Sequence, residues 1–296
     1  MDIGDWQATP NLNKIYGEIR RLGLEKNVAE LEAYGFTVVE PGKAAPVAFF
    51  DRIGEKILEI AARRDGGVSG ESPELAKYTP IGQLVYHMLW EDRIFEEALM
   101  NPVALALITY LLGENCVLQS VTGGIKAKTD GMLGLHSDNG MVPAPFPPYA
   151  QVANATWVLS DYTKENGCLL FVPGSHRNCR HPSPGEVVDE AMMVPVETPK
   201  GSLIIWHGNT WHGAFPKTNP DSLRLNLILL FCRMYMTTQE PLRYEVTPEI
   251  LARNPPRFSK LMGQHIGFGW TDKGPQWTPD RKKYLGQRTP EERLFD

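Results

Sequence analysis

The pattern of hydrophobic and polar positions changes near residue 116. Before that point, apolar residues recur every three or four positions in VAFFDRIGEKILEIAARR (47–64), which predicts an amphipathic helix. The stripe consists of Phe50, Ile53, Ile57 and Ile60. NPVALALITYLLG (101–113) predicts a buried helix that begins with an Asn-Pro cap and ends at a glycine. GFTVVEP (35–41) predicts a short strand ended by proline.

After residue 116, short runs of branched and aromatic residues are separated by Gly, Pro, Asn and Asp. These predicted strands are CVLQSVTGG (116–124), AQVANATWVLSDY (150–162), GCLLFVP (167–173), GSLIIWH (201–207) and SLRLNLILLFCRM (222–234). Many short strands with such turns predict an antiparallel sandwich or barrel, and helices followed by strands predict the α+β class.

The expected organisation is a single domain over residues 1–296. Its parts are a helical region at about 1–113, a strand-rich core at about 114–236 and an extension at about 237–296. The polar segment 250–296 is expected to wrap the surface.

The composition fits an ordinary globular protein, with 42% hydrophobic and 22% charged residues and a net charge of -5. This charge favours neither nucleic acid nor an anionic membrane as a partner. MDIGDWQATP does not resemble a secretory signal, and LNLILLF is too short to span a bilayer. Four cysteines without a CxxC motif indicate reduced thiols in a cytoplasmic protein, with a disulfide as the alternative. The expected partner is a small-molecule substrate, and a homodimer is left open.

The candidate chemistry begins at LGLHSDNGM (133–141). His136 and Asp138 are two positions apart, so both side chains point the same way if the backbone is extended. They form either a hydrogen-bonded pair or two ligands of a metal. A third ligand would come from a distant strand, and GSLIIWHGNTWHGAFPK offers His207 and His212.

A turn signal in KTNPD (217–221) favours His212 over His207. If the flanking strands form a hairpin about residue 219, position 214 faces 224 and position 212 faces 226. His212 and Arg224 would then project into the same interior, whereas His207 has the opposite parity.

Two imidazoles and one carboxylate on one face form the facial triad of non-haem Fe(II) oxygenases, with zinc or manganese as alternative occupants. Arg224 favours iron, because a guanidinium in an apolar interior is costly unless an anion meets it. A dicarboxylate such as 2-oxoglutarate could chelate the metal at one end and pair with Arg224 at the other. The alternative role for Arg224 is a structural ion pair with a protein carboxylate.

Four segments resemble the phytanoyl-CoA dioxygenase family. They are HSD (136–138), NGCLLFVPGSHR (166–177), GSLIIWHGNTWHGA (201–214) and SLRLNL (222–227). The resemblance runs from about residue 28 to 234. It implies an Fe(II)-, O2- and 2-oxoglutarate-dependent dioxygenase on a double-stranded β-helix, which is a jelly-roll or cupin-like core with N-terminal helices packed outside.

The resemblance also implies roles for individual residues. The implied iron ligands are His136, Asp138 and His212, and the implied cosubstrate contacts are Arg224, Gln119 and Trp157. No catalytic residue beyond the metal ligands is expected. The alternative for Gln119 is to satisfy backbone groups, and for Trp157 it is to fill the core. Ala214 departs from the hydroxyl residue that relatives often carry two positions after the distal histidine, and His176 is expected to be structural.

Asp138 argues against halogenation, because halogenating relatives lack this carboxylate. The expected reaction is therefore hydroxylation, desaturation or cyclisation of an unactivated C–H bond in a small, apolar metabolite, as in secondary metabolism. The loop GMVPAPFPPYA (140–150) either packs against a neighbouring element or covers an apolar pocket. Arg281, Lys282 and Lys283 could serve a CoA thioester. The rival functions are a non-oxidative cupin-like metalloenzyme and a jelly-roll binding protein without turnover.

Overall fold

The computed structural model describes residues 9–64, 83–183, 186, 189–264, 270–272 and 274–275. Within them the α-helices are α1 (Thr9–Arg21), α2 (Glu25–Tyr34), α3 (Val47–Arg64), α4 (Arg93–Leu99), α5 (Pro102–Leu112), α6 (Leu242–Glu245), α7 (Pro248–Arg253) and α8 (Pro256–Leu261). The strands are β1 (Phe36–Val39), β2 (Gln83–Val85), β3 (Val117–Lys126), β4 (Leu133–His136), β5 (Val152–Val158), β6 (Leu169–Phe171), β7 (Val194–Pro195), β8 (Leu203–His207), β9 (His212–Ala214), β10 (Arg224–Cys232), β11 (Trp270–Thr271) and β12 (Gly274–Pro275).

Two antiparallel sheets face each other across the core. The larger sheet has the order β1-β8-β5-β10-β3-β2, and the smaller one has the order β4-β9-β6-β7. Successive strands alternate between the sheets from β3 to β6 and again from β7 to β10, which is the jelly-roll arrangement, and the predicted α+β class is confirmed.

Side-chain alternation gives the larger sheet two different faces. In β10, Leu227, Leu229 and Phe231 join the core beneath the helices, whereas Ile228 and Leu230 face the space between the sheets. β3, β5 and β8 divide their residues in the same way. One face of the sheet thus holds the helices, and the other is left for a site.

The helices on the outer face match the sequence pattern closely. The predicted stripe of α3, including Phe50 and Ile57, is fully buried. The side-chain oxygen of Asn101 accepts hydrogen bonds from the backbone N–H groups of Val103 and Ala104 at the start of α5, and Gly113 ends that helix. Among the described residues, no single helix is long and apolar enough to cross a membrane; α4 and α5 meet that test only as a pair bent by 53°.

The predicted hairpin about residue 219 is wrong. β9 pairs with β4 and β6 in the smaller sheet, whereas β10 pairs with β3 and β5 in the larger one. KTNPD therefore connects two sheets rather than two neighbouring strands. His212 and Arg224 still reach one interior, because that interior lies between the two sheets.

The segment after residue 250 was expected to wrap the surface, but its described part also contributes to the core. α8 packs against β3, and its Phe258 and Leu261 are completely buried in the main core. The polar composition concealed these two anchors, because Phe258 lies between Arg257 and Ser259 and Leu261 directly follows Lys260.

Candidate metal centre

The pairing of β4 with β9 creates the centre. His136 and His212 are direct partners in this antiparallel ladder, so their rings share a face, with centroids 4.2 Å apart. Gly213 permits the pairing, because a Cβ at this position would collide with the carbonyl oxygen of Leu133.

Asp138 completes a cluster of three ligand atoms that all lie within 4.8 Å of one another. Its Oδ1 is 3.9 Å from Nε2 of His136 and 3.5 Å from Nε2 of His212. One ion placed between them can contact two imidazole nitrogens and one carboxylate oxygen. The structure therefore brings together the three residues that the sequence nominated as ligands.

Backbone carbonyls orient both imidazoles for metal binding. Nδ1 of His136 is 2.9 Å from the carbonyl oxygen of Gly134, and Nδ1 of His212 is 2.9 Å from that of Thr210. A carbonyl oxygen only accepts, so each Nδ1 carries the proton and each Nε2 keeps its lone pair for a metal. Two imidazole nitrogens and one carboxylate oxygen fit a divalent transition metal.

Burial keeps His212 in this neutral form. It lowers the pKa of His212, while Asp138 opposes the shift and His136 adds to it. The ring is stacked on Phe171, with centroids 5.6 Å apart. His212 is therefore ready to bind a metal at pH values at which an exposed imidazole begins to protonate.

Trp206 holds the carboxylate, and the sequence interpretation missed it. Its indole Nε1 donates a 2.8 Å hydrogen bond to Oδ2 of Asp138, and the backbone N–H of Asp138 donates to the Gly208 carbonyl. Oδ1 is thereby left for the metal. The alternation of β8 was the available signal, because Trp206 and Ile204 share the face opposite to Leu203 and Ile205.

A cavity of about 330 Å³ extends from the three ligands between the sheets. Arg224 lines it, although only 5% of the residue is exposed. Its Nη1 donates to the Gly167 carbonyl, its guanidinium lies over the ring of Tyr162 at 5.2 Å, and its Nε has no partner. A buried guanidinium with an unsatisfied N–H favours an anionic ligand in this cavity.

Two other expected cosubstrate contacts lie elsewhere. Trp157 is on the helix-facing side of β5, where it packs against Phe49 and Phe50, which corrects the expectation that it lines the pocket. Gln119 lies at a bulge in β3, and its amide donates to the Thr237 carbonyl at 3.4 Å rather than entering the cavity. The cavity-facing residues of β5 are Asn154 and Thr156, and their alternation with Ala153, Ala155 and Trp157 was the signal in the sequence.

The remaining histidines near the centre are not part of it. His207 accepts a hydrogen bond from the backbone N–H of Asn209, and burial lowers its pKa to about 3. Its ring packs on His176 with centroids 5.4 Å apart, and the pKa of His176 is also lowered by burial. Of the two third-ligand candidates, His212 is the one beside His136 and Asp138.

The proline-rich loop at 140–150 packs against its neighbours. Phe146 meets His181 edge-on at 4.6 Å, and the Pro147 carbonyl accepts from Asn209. The cavity-lining residues come from other segments, so the loop matches the packing alternative rather than the lid. The proposed CoA contacts Arg281, Lys282 and Lys283 lie outside the described residues.

Fold and site together define a non-haem iron oxygenase of the jelly-roll type. The model of the phytanoyl-CoA dioxygenase family matches residues 33–225, which is more than half of the chain. The chain belongs to the phytanoyl-CoA dioxygenase family, which confirms the expected enzyme class. Its cluster of two histidines and one aspartate could hold the expected metal ion.

Similar sequences agree with this assignment. Dioxygenase af480 of Aspergillus fumigatus is 28% identical over 268 residues, which is 89% of this chain and 85% of the relative. Phytanoyl-CoA dioxygenase 1 of Oryza sativa is 28% identical over 193 residues, covering 59% and 65%.

Two solved structures share the fold. HygX from Streptomyces hygroscopicus, solved with nickel and 2-oxoglutarate, superposes with a TM-score of 0.57 at 17% identity, covering 73% of this chain and 89% of HygX. The non-heme alpha-ketoglutarate-dependent epimerase SnoN from nogalamycin biosynthesis gives 0.53 at 19%, covering 72% and 83%.

Proposed function

We propose that this protein is an oxygenase that oxidises an unactivated C–H bond of a small, largely apolar metabolite, by hydroxylation, desaturation or cyclisation. The observation that carries the proposal is the convergence of three ligand atoms within 4.8 Å on a cavity that also contains a buried guanidinium with an unpartnered N–H. A metal-binding protein without a keto-acid cosubstrate would have no use for that guanidinium.

His136, Asp138 and His212 would hold Fe(II) through two Nε2 atoms and one carboxylate oxygen. When bound, iron and 2-oxoglutarate supply O2 activation coupled to decarboxylation, which oxidises the substrate C–H bond and leaves succinate and CO2. Three protein ligands leave open positions for cosubstrate and O2. The chain's task is to keep these ligands oriented, which the two carbonyl contacts and Trp206 do.

Arg224 would hold the far carboxylate of 2-oxoglutarate. Its position at the start of β10 sets it back from the metal ligands along one wall of the cavity. The guanidinium fork can form two parallel hydrogen bonds to a carboxylate, which fixes both the direction and the length of the bound molecule. This selects a dicarboxylate over a simple keto acid.

The substrate side of the cavity supports a small molecule with an apolar skeleton and polar substituents. Leu84, Ile228 and Leu230 give it apolar walls, while Asn154 and Gln239 offer amide groups. Apart from Arg224, the lining carries no cation among the described residues. A cavity of about 330 Å³ is at the lower end of the usual size for small-molecule sites, which favours a compact substrate.

The test is an anaerobic titration of the purified protein with Fe(II) and then 2-oxoglutarate. An absorption band in the visible that needs both additions supports the proposal, as does Fe(II)-dependent formation of succinate when air is admitted. A panel of neutral metabolites should then accelerate succinate formation if one fits the cavity. Absence of both the band and succinate would refute the function.

A matched pair of variants localises the result. His212→Ala should lose the band and the turnover, because it removes one of the three ligands. His207→Ala removes a nearby buried imidazole outside the cluster, so it should retain the band. If His207→Ala lost the band and His212→Ala retained it, His207 would be the third ligand and the assignment would be refuted.

A further inference from the structure

A cluster of buried cations surrounds the start of β10. Lys126 and Lys217 are each 0% exposed, and Arg224 is 5% exposed. Lys126 and Arg224 donate to the backbone carbonyls of Phe215 and Gly167, and Lys217 donates to Asn219 and Ser222. In the part of the chain that the structure describes, no carboxylate forms an ion pair with any of these three.

Lys126 and Arg224 are direct partners in the ladder between β3 and β10. Directly opposed residues share a face of the sheet, and like charges in such a pair repel each other. Arg224 lines the cavity, so Lys126 is on its side of the sheet. The repulsion would become attraction if an anion lay between the two groups.

The ammonium of Lys126 is held behind the cavity wall, next to a lining residue. Its Nζ lies 2.8 Å from the carbonyl oxygen of Phe215, which follows the cavity-lining residue Ala214. An ammonium has three N–H donors, and this contact uses one of them. Ala214 itself offers no side-chain donor, so Lys126 is the polar group available beside this part of the wall.

We propose that Lys126 is a second cationic ligand of the far carboxylate of 2-oxoglutarate, beside Arg224. The proposal rests on the proposed function, because it needs Arg224 to hold that carboxylate. The carboxylate accepts from the guanidinium on one side and from the ammonium on the other. The buried positive charges are thereby compensated by the cosubstrate rather than by a protein carboxylate.

The electrostatics of the site support a pH signature. Burial and then the neighbouring Arg224 lower the pKa of Lys126 to about 7; Lys217 lowers it further and Cys168 raises it. A bound carboxylate favours the charged ammonium and raises this pKa. Affinity for 2-oxoglutarate is therefore complete below about pH 7 and falls as pH rises through the raised pKa, and binding near neutral pH takes up a proton.

The experiment measures binding of 2-oxoglutarate to Ni(II)-loaded protein by titration calorimetry at several pH values and in buffers of different ionisation enthalpy. Lys126→Met keeps the length of the side chain and removes its charge. We expect the dissociation constant to rise about tenfold at low pH, because a charge-assisted hydrogen bond is lost. The difference from the wild type should shrink as pH rises, and the proton uptake should disappear.

Lys217→Met is the matched control, because it makes the same change at a second buried lysine whose Nζ is engaged by Asn219 and Ser222. It should retain proton uptake, at a somewhat higher pH because Lys217 no longer lowers the pKa of Lys126. Equal affinity and equal proton uptake in Lys126→Met and the wild type would overturn the proposal. If the wild type itself fails to bind 2-oxoglutarate, the proposed function fails, which distinguishes the two results. Circular dichroism of each variant confirms that it is folded.

Discussion

Replacing Trp206 by phenylalanine tests whether one hydrogen bond orients the metal-binding carboxylate. Trp206 is 3% exposed, and its Nε1 donates to Oδ2 of Asp138 at 2.8 Å. Its ring also packs on Phe171 and His212, with centroids 5.5 and 5.1 Å apart. Phenylalanine retains an aromatic ring in this position and removes the N–H donor. The change therefore acts mainly on the freedom of Asp138.

The expected magnitude follows from the kind of bond that is lost. Hydrogen bonds to charged groups contribute about 1.5–3 kcal/mol, and each 1.4 kcal/mol is about a factor of ten in affinity. Groups that orient a metal ligand typically change metal affinity about 10- to 100-fold when they are removed. Both estimates lead to a dissociation constant for Fe(II) that rises by about 10- to 100-fold in Trp206→Phe.

The assay is an anaerobic competition titration of Fe(II) against a chelator of known affinity, for the wild type and the variant. Trp211→Phe is the control, because Trp211 is equally buried and its indole also donates a hydrogen bond, but to the Arg180 carbonyl. Thermal unfolding without metal measures the stability of both variants. If Trp206→Phe binds Fe(II) as tightly as the wild type does, the indole does not orient Asp138.

The other predictions concern the ligands, the cosubstrate, acid stability and one helix cap. His136→Ala should abolish succinate formation with an unchanged circular dichroism spectrum; turnover at the wild-type rate would contradict its role. Arg224→Lys should raise the 2-oxoglutarate concentration for half-maximal turnover, because a point charge cannot replace the guanidinium fork. The wild type should lose unfolding free energy as pH falls from 6.5 towards about 3, because the buried imidazole of His207 resists a proton that the unfolded chain accepts. His207→Gln should lose less over the same pH range. Equal losses in the two proteins, measured by urea denaturation at each pH, would disprove this. Asn101→Ala should lower the unfolding free energy by about 1 kcal/mol or more through loss of the α5 cap, and an unshifted urea midpoint would contradict it.

The helices and the strand positions followed from local pattern. α3 and α5 were predictable because their apolar spacing and caps are properties of contiguous residues. The same holds for the positions of the short strands, although β3 continues through Gly123 and Gly124 to Lys126, beyond its predicted end. The ligand motif was also local in part, since His136 and Asp138 need only an extended backbone to share a face.

Partner choice between strands was not predictable in this way. The hairpin argument placed β9 beside β10, but hydrogen bonding in the two sheets separates them. A turn signal says that the chain reverses and does not say which sheet receives the next strand. The prediction that His212 and Arg224 project into one interior was still correct. Residues of both sheets face the same cavity, so the two side chains meet there although their strands are not neighbours.

The sequence by itself determined the class of the protein: helices before strands, a histidine–aspartate motif, a distal histidine and an arginine that calls for an anion. Only the tertiary structure decided which face each side chain occupies, and so excluded Trp157 and Gln119 from the cavity and brought in Trp206 and Asn154. The physical reason is that the alternation along a strand is set locally, whereas the identity of the buried face depends on strands and helices far away in the chain.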